Sequence, residues 1–553
     1  MGGSIALYIT ILVWRETLKK LLILISIFLI NACETQDPVP PVLEEPEVEE
    51  PVIEEPVYFE PVAYLNHEDA GMRPLADGVT DIGVCYQIFV ISFADSNQDG
   101  YGDLNGITEN LDYLSDLNID CLWLTPIHPS PSYHKYDVLD YYDVDPQFGT
   151  IQDAQRLFDE AEERGISVII DLVVNHTSKG HSWFQTNPEY YRKISVGHPN
   201  YSTRYWHREG ELQYFAYFWD QMPELNLDDP VVRNLIFEIA TFWLDLGVDG
   251  FRLDAVRHYF DVHEYPFRTP TLTQNILFLK EFNAVVKDHN PSAFVVAEAW
   301  SEAGAVAKYQ PGVDGAFNFD IASSILSTVN NANDSRVAGL VDDIIRIQQL
   351  YELERAEIHD HYFLANHDQD RVMSQLGNDL SKAKLAASIL FTMPGISWIY
   401  YGEEIGMTGA RTAASTDAQR RQPMIWQNEF QITFVDGYEL DLTNKLLQPR
   451  NELFTHYQTV TAVKADDVIR LGDMVKVDKT QTDILAFVRS YENTHYLVLH
   501  NLSRDTNTIQ VSESFEVVYT LGFDHTISDR ITMPPRSSIV VEVSTPAISL
   551  PVE

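Results

Sequence analysis

The sequence predicts an α/β fold: a (β/α)8 TIM barrel with an inserted domain after its third strand and a C-terminal antiparallel β domain. Three observations predict it. Short apolar runs alternate with helical patterns from Val84 onward, one long helix-free stretch interrupts that alternation, and after about Val463 the pattern turns to alternating strands.

The apolar runs are VCYQIFV, DCLWLTPI, ISVIIDLVVN, GFRLDAV, AFVVAEAW, DGAFNFD, YFLANHD and ISWIYYGEE. Such runs suit strands buried on both faces of a parallel sheet. Amphipathic stretches lie between them. One carries Ala154, Leu157, Phe158 and Ala161 on one face; another carries Leu235, Ile236, Ile239, Phe242, Trp243 and Leu246. That spacing is helical, and strand alternating with helix means a parallel sheet. Eight such runs favour closure into a barrel over an open sheet.

The helix-free stretch runs from His176 to about Asp229 and is rich in Tyr, Trp, His and Asn. An insertion of this size belongs on the loop side of a barrel, where chemistry sits. The expected organisation is a catalytic barrel over 63–463, an inserted domain at about 177–229, and a β domain over 464–545. A chain of 553 residues has room for this, since such barrels take roughly 250–400 residues.

The formal charge is −44, from 82 acidic against 38 basic residues. That balance excludes nucleic acid and anionic membrane surfaces as partners, and it suits a soluble, extracellular or salt-exposed protein. A monomer is expected. Of three cysteines, Cys85 and Cys121 lie in apolar runs and read as small core residues; a disulfide between neighbouring strands is the alternative.

The third cysteine has a different setting. Residues 19–33 read KKLLILISIFLINAC, two lysines before an apolar run and a small residue before Cys33. This is the layout of a secretory signal. Its ending, Leu29 to Cys33, resembles a bacterial lipobox, with Asn31 a departure; the resemblance implies cleavage before Cys33 and a diacylglyceryl group on its sulfur. The alternative is an uncleaved apolar anchor. Either way the chain is expected outside the cell, tethered to a membrane. Residues 34–62 follow, with repeated Glu-Glu-Pro; like charges repel and proline stiffens, so this segment is an extended spacer.

Polar residues cluster where the predicted strands end. The third ends in Asp171-Leu-Val-Val-Asn175-His176, the fourth in Arg252-Leu-Asp254, the fifth in Glu298, the seventh in Asn366-His367-Asp368. Carboxylates from four strand ends converge over one barrel mouth. Glycosidic bond cleavage needs such a set: one carboxylate to attack or stabilise the anomeric carbon and one carboxylic acid to protonate the leaving oxygen. Arg252 is expected to keep Asp254 ionised. Glu298, beside Ala297, Ala299 and Trp300, is expected to hold its proton near neutral pH.

The segments DLVVNH, GFRLDAVRH, VVAEAW and ANHD resemble, in order, the signature regions of the α-amylase family of glycoside hydrolases, over about Ile82 to Trp426. The resemblance implies Asp254 as nucleophile, Glu298 as general acid/base and Asp368 as the third carboxylate, which binds substrate hydroxyls. It implies that Arg252, His176 and His367 line the subsite of the nucleophile and that Tyr136 stacks on the sugar there. Arg257 and His258 look like the amylase pattern, in which a basic pair contacts sugars on the leaving-group side. The implied activity is retaining hydrolysis of α-1,4 bonds in α-glucans such as starch.

Asp95-Ser-Asn97-Gln-Asp99-Gly-Tyr101-Gly-Asp103 alternates oxygen ligands around a glycine, which suits calcium. It is not an EF-hand, because Gly106 stands at position twelve. The stretch resembles the calcium loop after the first strand in many family members, which implies Asp95, Asn97, Asp99 and Asp103 side chains and the Tyr101 carbonyl as ligands. The alternative is a solvated Asp/Gly-rich turn.

Met222-Pro-Glu-Leu-Asn226 resembles the family's fifth region, where Glu224 departs from the usual Asp, and RRQPMIW from Arg420 is similar to a loop of the group between oligo-1,6-glucosidases and neopullulanases. Exo-acting α-glucosidases of the family carry an extra Asp just before the motif tyrosine; here Tyr133, His134 and Lys135 precede Tyr136. An endo- or mixed-acting enzyme is therefore expected. The alternatives are an exo-acting α-glucosidase or transglycosylase and a non-catalytic glycan-binding lipoprotein.

Overall fold

The computed structural model describes residues 71–195, 204–260, 271–331, 334–357, 359–412, 416–426, 450–479, 483–521, 526–528 and 530–550. The signal segment, Cys33 and the acidic spacer lie outside the described residues.

Eight parallel strands form the central sheet: β1 (Val84–Ile88), β2 (Cys121–Leu124), β3 (Ser167–Leu172), β4 (Gly250–Leu253), β5 (Phe294–Ala297), β6 (Gly315–Ala316), β7 (His361–Phe363) and β8 (Ile396–Tyr400). Each of the eight apolar runs supplies one of them. The hydrogen-bonded order is β7-β8-β1-β2-β3-β4-β5-β6. A parallel bridge from Phe317 to His361 joins the two edges and closes the barrel. Closure leaves no edge exposed.

Both faces of the strands are buried, which is why the runs are continuously apolar rather than alternating. Inside lie Trp123, Ile169, Phe294, Val296, Phe317, Phe363 and Trp398. The outward side chains, among them Tyr86, Leu122, Val168 and Phe251, join the core under the helices. Gly250 opens β4 at φ +151°, and a Cβ there would collide with the carbonyl oxygen of Phe294; the close approach of β4 to β5 requires glycine.

Cys85 and Cys121 are register partners on β1 and β2 and form a disulfide, Cα to Cα 4.5 Å. This corrects the reading as two unpaired core residues. Adjacent parallel strands bring paired residues within disulfide reach, but only the register decides which residues face each other. Closing a loop of this span (sequence separation 36) constrains the unfolded chain by about 4 kcal/mol.

The helices follow their sequence signals. Thr150 and Asp153 form a capping box on the helix Ile151–Glu162, which buries Ala154, Leu157, Phe158 and Ala161. Asp229 caps Pro230–Asp245, with proline in the first turn. Between β3 and β4 the chain is not wholly helix-free: a short helix, Ser182–Thr186, precedes an antiparallel sheet of Lys193–Ser195, Leu212–Phe215 and Trp206–Glu209. The segment after this sheet returns to the barrel, where Glu224 pairs with His176 in an antiparallel bridge and Leu225 N donates to Asn175 O at 2.9 Å.

After the barrel come the helices Glu452–Lys464 and Asp467–Arg470. An antiparallel sheet follows, ordered 473–476, 484–491, 494–501, 538–543, 515–521, with a second small sheet beside it. Leu497, Leu499, Ile539 and Val541 belong to its own core.

Candidate active site

The site grows around one buried cation. Arg252, inside β4, is fully buried. Its Nη1 donates to both Asp171 oxygens at 2.8 Å and to Asp254 Oδ1 at 2.7 Å, and its Nη2 lies 3.2 Å from Glu298 Oε2. One guanidinium therefore ties together the ends of β3, β4 and β5. The position works because β4 lies between β3 and β5, so a long side chain from the middle strand reaches both neighbours. The guanidinium also stacks over Trp123, 4.8 Å from its ring, as planar Arg suits.

Three carboxyls around a single guanidinium cannot all ionise at ordinary pH. Burial pushes Glu298 up to about 8, against the pull of Arg252, and the nearby charge of Asp254 adds to the rise. Burial also raises Asp171 to about 7, against the same pull of Arg252. Asp254 is raised as well, because burial outweighs Arg252. Arg252, expected to keep Asp254 ionised, does pull it downward, but the arginine is shared among three acids. Glu298 is buried beside Ala297 and Ala299, while Trp300 is half-exposed and stacks on Phe319 instead.

Asp368 differs. Burial would raise it, but His367, Arg421 and Arg252 outweigh burial and hold it down at about 2. Arg421 Nη2 donates to Asp368 Oδ1 at 2.7 Å, Nε to the His367 carbonyl at 3.0 Å, and Nη1 to the Tyr133 hydroxyl at 2.9 Å.

A chain of hydrogen bonds lines one wall. The Gln87 amide donates to His367 Nδ1 at 2.7 Å, which leaves Nε2 as the protonated nitrogen, 2.9 Å from the Tyr136 hydroxyl. That hydroxyl donates to Asp171 Oδ2 at 2.8 Å. The Tyr136 ring lies parallel to His367, 6° between planes. Burial lowers His367 to about 3 and His176 to about 4, so both are neutral. These groups open onto a cavity of about 1040 Å³ lined by Tyr136, His176, Asp254, Glu298, His367 and Asp368. Arg257, which donates to the Trp300 carbonyl at 2.6 Å, and His258, packed against Tyr217 and Phe218, line it too. All nine residues expected at the catalytic and sugar-binding positions thus meet in one place.

Sequence reasoning missed several neighbours. Asp171 was visible as a strand-end carboxylate, yet not as the buried anchor of Arg252. Gln87 is the one polar residue in its apolar run and is 2% exposed, a signal that was there to use. Arg421 reaches Asp368 from a distant loop; it belongs to the RRQPMIW motif, which did not show that it pairs with Asp368.

The Asp-rich loop stands apart from this cluster. Asp95 accepts from Asn97, Gln98 and Gly100 amides, Asn97 from Asp99, and Asp99 from Tyr101. Gly100, at φ +95°, allows the turn. Asp103 caps the helix Leu104–Glu109 and accepts from Ser96. Among the described residues no group of three or more His, Cys, Asp or Glu converges as a metal site. The donor set of Asp95, Asn97, Asp99 and the Tyr101 carbonyl is hard oxygen at alternate positions and suits calcium in kind, while Asp103 is engaged in the helix cap.

Residues 87–472 match the model of the α-amylase catalytic domain, and residues 484–540 match that of the α-amylase SusG C-terminal domain. The chain belongs to the α-amylase family. It is a glycoside hydrolase of that family, acting on α-glucans. Alpha-amylase 3 of Dictyoglomus thermophilum is 35% identical over 83% of this chain and 93% of its own length. The oligo-1,6-glucosidase of Heyndrickxia coagulans is 31% identical over 76% of this chain and 92% of its own. The crystal structure of the α-amylase from H. orenii superposes with a TM-score of 0.73 at 33% identity, covering 84% of this chain and 99% of that one.

Proposed function

We propose that the chain hydrolyses α-1,4-glucosidic bonds of starch and maltooligosaccharides with retention, as an endo-acting or mixed-action enzyme. The reading of the chemistry rests on one observation: Asp254 and Glu298 share Arg252 at the floor of the cavity, and the acid is the one pushed up to about 8. Glu298 then protonates the glycosidic oxygen while the Asp254 carboxylate attacks the anomeric carbon, giving a glycosyl-enzyme ester. Glu298, now ionised, takes a proton from water, which displaces Asp254. Asp368, ionised throughout, accepts sugar hydroxyls and favours the positive charge that develops on the ring. Neutral His176 and His367 exchange hydrogen bonds with hydroxyls, and Tyr136 presents its ring to the sugar.

The endo or mixed reading is supported by the Tyr133–Arg421–Asp368 contacts. Just before Tyr136, where the exo-acting relatives carry an extra Asp, this chain has Tyr133, His134 and Lys135, and the Tyr133 hydroxyl accepts from Arg421. None of these three residues supplies a carboxylate. The 31% identity to an oligo-1,6-glucosidase keeps exo action on α-1,6 bonds as the second reading. Product analysis on maltoheptaose and pullulan separates them: endo or mixed action gives several internal fragments from maltoheptaose, and exo action gives glucose and maltohexaose from the start. Absence of reducing sugar from either substrate would favour a glycan-binding lipoprotein.

Calcium held by Asp95, Asn97, Asp99 and the Tyr101 carbonyl, with Asp103 beside them, would stabilise the loop after β1 and supply no chemistry. We also read the protein as a monomeric lipoprotein anchored through Cys33 outside a bacterial membrane. The Cys85–Cys121 disulfide supports an oxidising compartment.

A further inference from the structure

Trp123 lies beneath the site, on β2. Its register partner on β3 is Ile169, and Asp171 follows two residues later, so Trp123 and Asp171 share the inner face of the barrel. The buried indole packs against Phe317 and Trp398 and carries the Arg252 guanidinium on its ring. Its Nε1 donates to Asp171 Oδ2 at 3.2 Å.

Every hydrogen bond of Asp171 is one that it accepts. Arg252 Nη1 donates to both of its oxygens, and Trp123 and the Tyr136 hydroxyl each donate to Oδ2. Tyr136 has one direction open to it. Its oxygen also faces Arg252 Nη1 at 3.4 Å and His367 Nε2 at 2.9 Å, and both nitrogens carry hydrogen. Its single hydrogen therefore goes to Asp171. A proton on Asp171 would set hydrogen against hydrogen at one of these contacts.

Glu298 is placed differently. The Ala255 amide and Arg252 Nη2 both approach its Oε2. Among the described residues no hydrogen bond occupies Oε1, and the side chain lines the cavity. Oε1 is thus open to a proton. The charges around the two acids are nearly common to both: Arg252 and Asp254 face each of them, and Asp368 also faces Glu298. His134, His176 and His367 are neutral, because burial lowers them to about 3, 4 and 3, and burial raises the Tyr136 and Tyr259 hydroxyls, which stay neutral too. Burial lifts Asp171 to about 7 and Glu298 to about 8. The two hold a proton with similar strength, and a neutral donor is enough to choose between them.

We propose that Trp123 is a positioning residue: with Tyr136 it keeps Asp171 a carboxylate, and so places the proton that the acids around Arg252 share on Glu298, where the glycosidic oxygen needs it. The proposal rests on the retaining reaction above, in which Glu298 is the acid. Trp123 acts through Asp171 alone. Loss of its N–H has a signature in pH. Asp171 is a carboxylate both when Glu298 is protonated and when none of the acids is, so the loss weakens those two states alike. Only the state with the proton on Asp171 gains. That inactive state withdraws enzyme from the plateau of the pH profile, and it moves the basic limb to higher pH by the same factor, because the two acids titrate as one system.

The test is kcat/KM on maltoheptaose against pH, for variants that are folded by circular dichroism. Trp123→Phe keeps a ring under Arg252 and removes the N–H. Its plateau is expected to fall about two- to tenfold, the scale of one hydrogen bond to a carboxylate. Its basic limb should rise by about 0.3–1 pH unit, the same factor, so that native and variant curves converge at alkaline pH. Tyr136→Phe removes the other neutral donor and should move the limb the same way, with the curve lower throughout because the hydroxyl at the sugar is lost. If Trp123→Phe does not fold, Tyr136→Phe alone decides. A basic limb left in place in either folded variant would overturn the proposal, since a residue that only supports the fold lowers the curve without moving it. The underlying reading fails separately: a Glu298→Gln enzyme with native kcat/KM and the native basic limb would remove Glu298 as the acid, and the role of Trp123 with it.

Discussion

The backbone amide of Ala255 donates to Glu298 Oε2 at 2.9 Å, and Ala255 itself is held left-handed at φ 49°. That conformation costs an alanine about 1–2 kcal/mol. A hydrogen bond to a charged carboxylate contributes about 1.5–3 kcal/mol, so the contact offsets the strain once Glu298 has given up its proton. The residue after the nucleophile thus positions the acid, and it does so most strongly in the half of the cycle where Glu298 acts as base.

Asp254→Asn and Glu298→Gln should each lower hydrolysis of maltooligosaccharides by about 10³-fold or more, since each removes a covalent or proton-transfer role. Both variants should keep the native fold by circular dichroism. Proton NMR of early native products should show the α anomer first. An Asp254→Asn enzyme with more than about a tenth of native activity would displace this residue as nucleophile.

The rise of Glu298 to about 8 has a sign that pH can test. Between its ordinary 4.5 and 8 the folded protein binds a proton here that the unfolded chain has lost. The stability from this group is complete below 4.5 and is lost as pH rises through 8. Activity should fall over the basic part of the same window as the acid deprotonates. Melting temperatures measured across that range should decline less steeply in Glu298→Gln than in the native protein; equal slopes would mean the proton resides elsewhere in the cluster.

Tyr133→Asp should place a second carboxylate, besides Asp368, beside Arg421 at the polar end of the cavity. The expected outcome is a shift from internal maltoheptaose fragments toward release of glucose from chain ends, read by chromatography of early products. If the fragment pattern is unchanged, Tyr133 is not what leaves that end open.

Excess chelator should lower the melting temperature, because a ligand bound only by the folded state stabilises it by mass action. Asp99→Ala should lower it equally and abolish the response to added calcium. Identical native melting curves with and without prolonged chelation would remove calcium from the loop 95–103.

Cys33→Ser should release the enzyme from the membrane without altering its rate on soluble maltooligosaccharides. Two acyl chains anchor stably where one does not. A spacer of roughly 28 residues, near 3.1 Å each if extended, then reaches about 90 Å from the surface. Mass spectrometry of the native N-terminal peptide decides the matter; an unmodified Cys33 would end the lipoprotein reading.

Much of the site was legible because barrel chemistry sits at strand ends, and strand ends are local. Asp171, His176, Asp254, Glu298 and Asp368 each follow an apolar run, and the order of runs makes them converge. The aromatic lining of the cavity was not legible: Phe218, Trp219 and Trp300 look like any core aromatic in sequence, and exposure is a property of the packed molecule.

The sequence by itself determined the eight strands, the insertion and the C-terminal β sheet, because burial on both faces, on one stripe or on alternate residues writes a period into the chain. Tertiary structure decided what depends on distance across the barrel. The register of β1 and β2 joins Cys85 to Cys121. The reach of one guanidinium makes Asp171, Asp254 and Glu298 share a single charge, and a loop from after β8 brings Arg421 to Asp368. Such contacts join residues far apart in the chain, and the energies that select them, burial of charge and the pairing of its hydrogen bonds, arise only once the chain has closed around them.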